Sequence, residues 1–534
     1  MRSIGLLLTA LGALAATGES LGLALPTARW FFATSRDVPW LNWQWHGGAV
    51  FPWFGWLSAA LLMVAGGCMV VRSVTGGPRN PVTEQRLRRF RAIKRGYLSL
   101  VILMVLGGLA ALDQVVVGKR ALAVKYNGQW CFPAFLPTEF KNADFGISGD
   151  LANAPANYRE LKLSFEKSGL GRVIMPPIPY DPTGDTLPAR SRPLVLRQEL
   201  YYESGASHPY SGMVAKYHDV HRSAIHLRYA MRNGVRSGPC DGYDAAGTPV
   251  YSGDYNHGVL VSDRYSGSGS KESFLAQATS ALRAVKYHPA PPMPMEGNGL
   301  GSATMEGNWL GTTTQGYDVL AYLYGGLQVN FKAALIYLPI IYLIGISIGM
   351  LMGFFGGWFD LIVQRLIEIF SNMPFLFVVI IFSSMVPERY KGLPVILTIL
   401  ILFGWMGMTF LMRTAAYRDR ERDYIAAARV LGAGTPRILF YHLLPNTVAI
   451  LVTLVPFTMS GLISALTSLD YLGFGLPPEY ATWGRLLNDG LANLSAPWLV
   501  TSTFLVLVGL LVLITFVGEA VREAIDPKKF TYYR

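Results

Sequence analysis

The segment Asp423-Tyr424-Ile425-Ala426-Ala427-Ala428-Arg429-Val430-Leu431-Gly432-Ala433-Gly434-Thr435-Pro436-Arg437-Ile438-Leu439-Phe440-Tyr441-His442-Leu443-Leu444-Pro445-Asn446 lies between two apolar runs, Leu393–Leu411 and Thr447–Ser468. Ala426, Ala427 and Ala428 form a small-residue face on a short helix that stops at Gly432–Gly434. Pro436 opens a second helix, at a position where its fixed φ and missing N–H cost nothing. That helix is expected to end at Pro445, where the next run begins. A small-residue face lets the surface of another protein approach the backbone closely; the plainer reading is a tight helix–turn–helix link. Each neighbouring run has about the 20 apolar residues that cross roughly 30 Å of hydrocarbon. The link is therefore a loop at a membrane surface, and the chain is an all-α polytopic membrane protein.

The same spacing recurs along all 534 residues. Besides the two flanking runs there are Ile4–Leu25, Ala49–Val71, Tyr97–Val117, Leu327–Phe354, Leu361–Val386 and Leu499–Val517, eight in all. Ile4–Leu25 reads as a retained helix, with a cleaved signal peptide as the rival reading, because Arg2 alone forms its basic flank. Trp40, Trp43, Trp45, Trp53 and Trp56 mark a membrane–water interface. Hydrophobic residues make up 51% and charged residues 15% of the chain, against about 25% charged in an average soluble domain. Disorder is excluded, and the composition argues against an ordinary soluble enzyme.

The net charge of +12, from 46 Lys and Arg against 34 Asp and Glu, is concentrated beside the runs. Arg72, Arg79, Arg86, Arg88, Arg89, Arg91, Lys94 and Arg95 face Glu84 alone in 72–95, and Arg413, Arg418, Arg420, Arg422, Arg429 and Arg437 fill 413–446. Such loops stay in the cytoplasm, so the partner of this charge is membrane lipid and not nucleic acid. Counting spans alternately from 72–95 also places the tail, with Arg522, Lys528, Lys529 and Arg534, inside. The polar stretch 118–325 then lies outside.

That stretch holds an internal repeat. Gly212 and Gly238, Tyr217 and Tyr243, and Tyr229 and Tyr255 are each 26 residues apart. Asn233-Gly234, Ala246-Gly247 and His257-Gly258 supply hairpin turns, so two or three units are expected to stack into a small open sheet. Lys271–Tyr287 reads as one amphipathic helix, and Pro289–Pro294 as a stiff linker. Met295-Glu296-Gly297-Asn298 recurs as Met305-Glu306-Gly307-Asn308.

Catalytic and metal signals are scarce. Gly267–Glu272 lacks the Gly before and the Ser/Thr after Lys271 that a phosphate loop needs. His218, His221 and His226 are expected on strand surfaces, with no metal. Cys131 and Cys240 pair only if this region faces an oxidising compartment, and the sequence leaves that open. Among charges within runs, Glu368 lies beside Asn372-Met373-Pro374, which breaks its span, and Asp470 lies near a span end. Both are candidates for a translocation path, with a helix-packing or interfacial role near the cytoplasmic end as the rival reading of Glu368; Glu19 reads as satisfied by neighbouring helices or as close to the outer surface.

The 423–446 segment resembles the EAA loop of ABC importer permeases, with Ala427, Ala428, Gly432, Leu444 and Pro445 in register. It departs from that pattern at Ala426, where Glu is usual, and at His442, where Ile is usual. Asn308–Thr313, Gly316–Leu320 and Tyr324-Gly325 resemble the opening of the permease core of dipeptide and oligopeptide transporters, with Thr313 and Tyr317 in place of the usual Asp and Arg. Thr467–Pro477 and Glu519–Pro527 resemble its last spans. Arg88–Tyr97, Val124–Trp130 and Phe132-Pro133 are most similar to the microcin C/oligopeptide (Yej-type) permeases. Tyr201–Asp263 resembles variant MORN repeats. The permease likeness covers about 86–181 and 303–534.

The resemblance implies a type I ABC importer permease core with a periplasmic mixed/β insertion domain. The division it suggests begins with two extra N-terminal transmembrane helices (1–75), a basic cytoplasmic linker (76–96) and the first core helix (97–117). A periplasmic domain (118–326) with repeat insert 198–287 follows, then the five-helix permease core (327–519) with coupling loop 413–446, and a cytoplasmic tail (520–534). The chain is then a transport subunit in the inner membrane and not an enzyme, moving peptides or peptide-like solutes by alternating access. Its partners would be a homologous permease subunit, two ATPase domains that bind ATP and Mg, and a periplasmic substrate-binding protein. The coupling residues would be Asp423, Ala426, Ala427, Ala428, Gly432, Ala433, Pro436, His442, Leu444 and Pro445. The path residues would be Glu368, Asn372, Met373, Pro374 and Asp470. A membrane-embedded enzyme would need a nucleophile or metal set, and none is visible. A surface-anchored binding module would leave the 423–446 loop unexplained.

Overall fold

A computed structural model of the chain describes residues 2–21, 44–45, 49–50, 53–75, 81–136, 139–147, 152–184, 190–203, 209–210, 212–218, 225–244, 248–267, 269–276, 282–286, 308–387, 390–494 and 496–525. The side chain of Glu19, the Trp40–Trp43 loop, His221, Ala246-Gly247, Pro289–Pro294, the Met295/Met305 duplication and the tail from Asp526 lie outside the described residues or side chains. The chain divides into two compact units, Met1–Tyr180 with Leu323–Asn488 and Thr503–Arg534, and Asp181–Tyr322 with Asp489–Ser502.

The first unit begins with helices α1 (Arg2–Ser20) and α2 (Trp53–Thr75). They pack through glycines: a Cβ at Gly12 would lie 2.9 Å from the Ala59 carbonyl oxygen, and one at Gly66 2.7 Å from that of Gly5. Their apolar stretches, Gly5–Gly18 and Ala59–Val71, are shorter than a full span among the described residues. Helix α3 (Pro81–Ala92) carries the basic run and leads into α4 (Lys94–Ala111).

A small α/β domain follows. Strands β1 (Ala123–Tyr126) and β2 (Gln129–Cys131) form a hairpin. Its turn, Asn127-Gly128, has φ of 48° and 79°, the two positive values a tight hairpin needs. Helix α5 (Tyr158–Ser168), capped by Asn157 and stopped by Gly169 at φ 68°, packs Leu161 and Phe165 onto the sheet. Strand β3 (Gly171–Ile174) completes the order β2-β1-β3.

In the second unit β4 (Arg190–Arg197), β5 (Leu200–Glu203), β6 (Gly212–Tyr217), β7 (Ile225–Arg232), β8 (Val235–Tyr243), β9 (Pro249–Asn256) and β10 (Val259–Tyr265) precede the short helix α6 (Lys271–Ala276) and β11 (Arg283–Lys286). The sheet is eight-stranded, in the order β10-β9-β8-β7-β6-β11-β4-β5. The 26-residue spacing is the distance from each strand to the second one after it: Tyr217 and Tyr243 lie on β6 and β8, Tyr229 and Tyr255 on β7 and β9. Asn233-Gly234 and His257-Gly258 make the expected turns, with positive φ at all four residues.

Three expectations change here. Lys271–Tyr287 is not one helix, because Arg283–Lys286 pairs with both β4 and β6, and that pairing overrides the local helical pattern. For the same reason the sheet takes in Arg190–Arg197, ahead of the 198 boundary, and is larger than a stack of repeats alone. His226 is not a surface residue. A register shift at Lys216/Tyr217 in the β6–β7 pairing turns it into the core, fully buried, with its ring 4.5 Å from that of Phe274. Cys131 and Cys240 are both free thiols. Lys271 pairs with Asp263, so its charge is already matched.

The helical core comprises α7 (Val319–Phe355), α8 (Gly357–Ser371), α9 (Phe375–Met385), α10 (Leu393–Arg420), α13 (Leu444–Tyr471) and α15 (Pro497–Ile525), with α11 (Asp423–Val430) and α12 (Thr435–Arg437) in the loop between α10 and α13 and α14 (Trp483–Ala492) after α13. Among the described residues, five helices are long and apolar enough to cross a membrane: α4, α7, α10, Ile450–Tyr471 within α13, and α15. The run Leu361–Val386 is a bent pair, α8 and α9, turned by 82° where Asn372-Met373-Pro374 interrupts it.

Gly345, Gly349 and Gly353 make a one-sided stripe on α7 against Met408, Met412 and Ala416 of α10; a Cβ at Gly349 would sit 2.5 Å from the Thr409 carbonyl oxygen. Such small-residue stripes let helices pack in lipid, where apolar side chains gain little by leaving the tails. A polar ladder joins α7 to the end of α4: the Tyr324 hydroxyl donates to the Leu109 carbonyl (2.7 Å), and Gln328 Nε2 to the carbonyl of Ala110 (3.0 Å). Gly96 of α4 meets Ala520 of α15, beside the Arg95–Glu519 pair (3.7 Å).

Candidate functional site

The loop between α10 and α13 is built from its own small core. Asp419, at the end of α10, is buried and accepts from Arg418 Nε (2.9 Å) and pairs with Arg422 Nε (3.1 Å). Arg422 is the residue before helix α11 (Asp423–Val430), so this carboxylate fixes where the helix starts. Ile425 and Ala428 face inward onto Ile438 and pack against Phe354 at the end of α7. The Arg429 guanidinium lies 5.1 Å from the centre of the Phe354 ring.

Helix α11 ends as the pattern predicts. Leu431 N–H donates to Ala427 O (3.0 Å), Ala433 N–H to Ala428 O (3.0 Å), and Gly432 takes φ 80°. A Cβ at Gly432 would meet no atom within 4 Å, so the glycine is required by its backbone and not by crowding. Gly434 then precedes α12 (Thr435–Arg437), with Pro436 in its first turn.

The second helix does not end at Pro445. It passes through a π-helical turn, Ile438–Leu443, directly into α13, whose second residue is Pro445. Pro445 has no N–H to donate and its ring crowds the preceding turn; a widened π turn accommodates both without breaking the helix. Asn446 Nδ2 donates to the carbonyl of His442 (2.8 Å).

The motif residues divide by exposure. Asp423, Ala426, Ala427, Gly432, Pro436 and Pro445 are exposed, Ala433, His442 and Leu444 half-buried, and Ala428 buried. Ala428 therefore belongs to the loop's internal packing. The exposed face also carries Val430 (88% exposed), Leu431 (85%), Tyr441 (77%) and Phe440 (56%). The small-residue pattern missed these four. Their signal was pairs of large apolar residues just before Gly432 and just before His442 in a basic loop, where burial inside the loop cannot hold them all.

The path candidates are not brought together around one centre. Glu368 is half-exposed on α8 and accepts from Arg365 (2.5 Å) and Gln364 (3.1 Å). Asn372 caps α8, with its N–H on the Glu368 carbonyl (3.1 Å), and Met373 and Pro374 are exposed at the bend. Asp470 is buried at the end of α13, where it accepts the Leu476 N–H (2.7 Å) and closes the Gly473–Gly475 turn. Arg485, which no motif singled out, donates from Nη1 to the carbonyls of Pro477 (3.1 Å) and Tyr480 (3.2 Å) in the same turn.

At the opening segment, Asn308 Nδ2 donates to Asp318 (2.6 Å), and Asp318 caps α7 by accepting the Ala321 N–H (2.7 Å). The Thr313 hydroxyl accepts the Tyr317 N–H (3.1 Å), so these two positions are joined without an ion pair. Among the described residues, no three His, Cys, Asp or Glu side chains gather into a metal-sized cluster.

Residues 345–531 match the family described as the inner membrane component of binding-protein-dependent transport systems. The inner membrane ABC transporter permease protein YejE of Escherichia coli is 31% identical over 450 residues, covering 84% of this chain and 98% of that protein. The peptidoglycan transport system permease protein YejE of Agrobacterium fabrum is 30% identical over 450 residues, covering 84% and 94%. The oligopeptide transport system permease protein OppC of Mycobacterium tuberculosis is 31% identical over 219 residues, covering 40% and 74%.

Proposed function

Because the chain belongs to the inner-membrane permease family of binding-protein-dependent ABC transport systems, we propose that it imports peptides or peptide-like solutes by alternating access, driven by partner ATPases that dock on the Asp423–Asn446 loop. The observation that carries this reading is a loop whose backbone is held by its own core while its outer face is small, apolar and exposed. A partner surface that covers Val430, Leu431, Phe440 and Tyr441 gains their burial, and Ala426, Ala427 and Gly432 let it come close to the backbone. The named solutes of two relatives, peptidoglycan and oligopeptides, share amide-linked chains, and this supports the solute class.

The rest of the assembly follows from the same family: a homologous permease subunit, two ATPase domains holding ATP and Mg, and a periplasmic binding protein. The bend at Asn372-Met373-Pro374, with Glu368 beside it, is the part of the candidate path open to a solute. Asp470 supports it indirectly, through a turn that Ser383 of α9 also joins by donating to the Phe474 carbonyl (2.5 Å). Loops 72–95 and 413–446 face the cytoplasm with both termini, and the β sheet lies in the periplasm. The Tyr/Gly period of two strands supports a MORN-like ancestry for that sheet, whose use is contact with the binding protein or cover for the outer face.

The test is ATP-driven uptake of labelled oligopeptides by vesicles containing the chain with its co-purified ATPase and binding protein. Uptake is expected, and Gly432→Trp is expected to assemble but to lose most of its substrate-stimulated hydrolysis. An indole at φ 80° strains the backbone and holds the partner surface away. Normal stimulation in that variant removes the docking role of the loop.

A further inference from the structure

A second charged cluster lies just behind the loop, at the junction of α7, α8 and α10. Asp360, in the first turn of α8, has a side chain only 4% exposed. Arg413 of α10 grips it with two donors, Nε and Nη2, the latter at 2.6 Å. The Tyr417 hydroxyl donates to the same carboxylate at 3.0 Å. Two guanidinium groups also lie over the Tyr417 ring, that of Arg413 5.1 Å and that of Arg420 4.4 Å from its centre. Arg420 Nη1 reaches across to the Gly353 carbonyl in the last turn of α7 (3.3 Å).

The α7–α8 turn is shaped for this arrangement. Gly356 and Gly357 take φ of 65° and 61°, and a Cβ at Gly356 would lie 3.2 Å from both Arg420 Nη1 and the Tyr417 hydroxyl. One residue before the turn's start, Phe355 follows Phe354, the residue on which Ile425 and Ala428 of α11 rest. The last turns of α10 thus hold two things at once: α11, through Asp419 and Arg422, and the bent pair α8–α9, through Arg413 and Asp360.

A buried, doubly bonded ion pair is a costly way to gain stability alone, since a packed apolar pair of similar volume usually serves as well. Its geometry is directional and stiff, which suits the transfer of a displacement. We propose that Asp360, Arg413 and Tyr417 form a strut that makes the bent span move with the loop, so that the Asp360–Arg413 pair positions α8 and α9 for each transport step. This rests on the reading of the 423–446 loop as the ATPase docking surface.

The test uses the reconstituted full transporter and measures solute moved per ATP hydrolysed, beside basal hydrolysis and complex assembly. Asp360→Asn keeps the shape and removes the charge. It is expected to assemble, to keep basal hydrolysis within about twofold and to lower the transport-to-hydrolysis ratio about tenfold, inside the range of ordinary coupling energies. The exchange D360R/R413D is expected to recover the ratio to within about threefold of the parent. An unchanged ratio in D360N overturns the proposal, as does a parallel loss of basal hydrolysis and assembly, which would make the pair a fold stabiliser only. An exchange variant that stays as uncoupled as D360N also overturns it, because the ion pair would not be the link. If the parent complex shows no substrate-stimulated hydrolysis, the loop reading fails instead; if Gly432→Trp couples normally while D360N does not, the strut stands and the docking surface is elsewhere.

Discussion

His226 shows how a single residue escapes a pattern. Tyr/Gly alternation implies a strand surface, but the register shift beside Tyr217 adds a residue to one strand and reverses the side that His226 faces. Burial against Phe274, with His218 and Lys216 alongside, pushes its imidazole down to about 4. An unfolded imidazole titrates near 6.5, so between those values the unfolded chain binds a proton that the folded sheet does not. The stability this neutral His permits is complete above about pH 6.5, falls as pH drops, and levels off below about 4; the full difference is on the order of 3 kcal/mol. The protection factors of the β7 and β8 amides, with the intrinsic pH dependence of exchange divided out, should therefore fall between pH 7 and 5, and His226→Phe should abolish that change. Equal pH dependence in the variant would place the titrating group elsewhere. Bulges of this kind leave no local signature, whereas Asn233-Gly234 and His257-Gly258 were legible because two positive φ values demand those residue types.

At the scale of elements, the apolar runs and the turns at Gly and Pro were readable because both follow from local chemistry. The runs in α4, α7, α10, α13 and α15 meet the thickness of hydrocarbon, and Gly432 meets the need for a left-handed residue after α11. What stayed hidden depended on distant partners: Arg283–Lys286 becomes a strand because β4 and β6 flank it, and Pro445 is carried inside a helix by the π turn before it. The eight-stranded sheet has its own core of Tyr210, Val214, Leu227, Tyr229, Met231, Cys240 and Tyr251. Every strand in it runs between residues 190 and 286. A chain with 190–286 replaced by a short Gly/Ser linker should therefore still assemble with its ATPase and keep basal hydrolysis within about twofold. Loss of assembly in pull-down would show that the sheet is integral to the helical core.

For the whole molecule, the legible part was the division into basic loops, apolar spans and a polar insert, since each is a bulk property of composition. The proposed docking face was half legible. Ala427 and Gly432 follow a known spacing, but the exposure of Val430, Leu431, Phe440 and Tyr441 depends on the inward turn of Ile425, Ala428 and Ile438, which only the packed loop reveals. The account predicts that this face meets an ATPase in the cytoplasm while the β sheet is on the other side of the membrane. A photoreactive side chain placed at Leu431 (85% exposed), in the full chain co-expressed with its ATPase subunit, tests that directly, with the same probe at Val261 (66% exposed) on β10 as the comparison. The predicted result is an adduct with the ATPase from position 431 and none from position 261. No adduct from 431, or an ATPase adduct from 261, would contradict it.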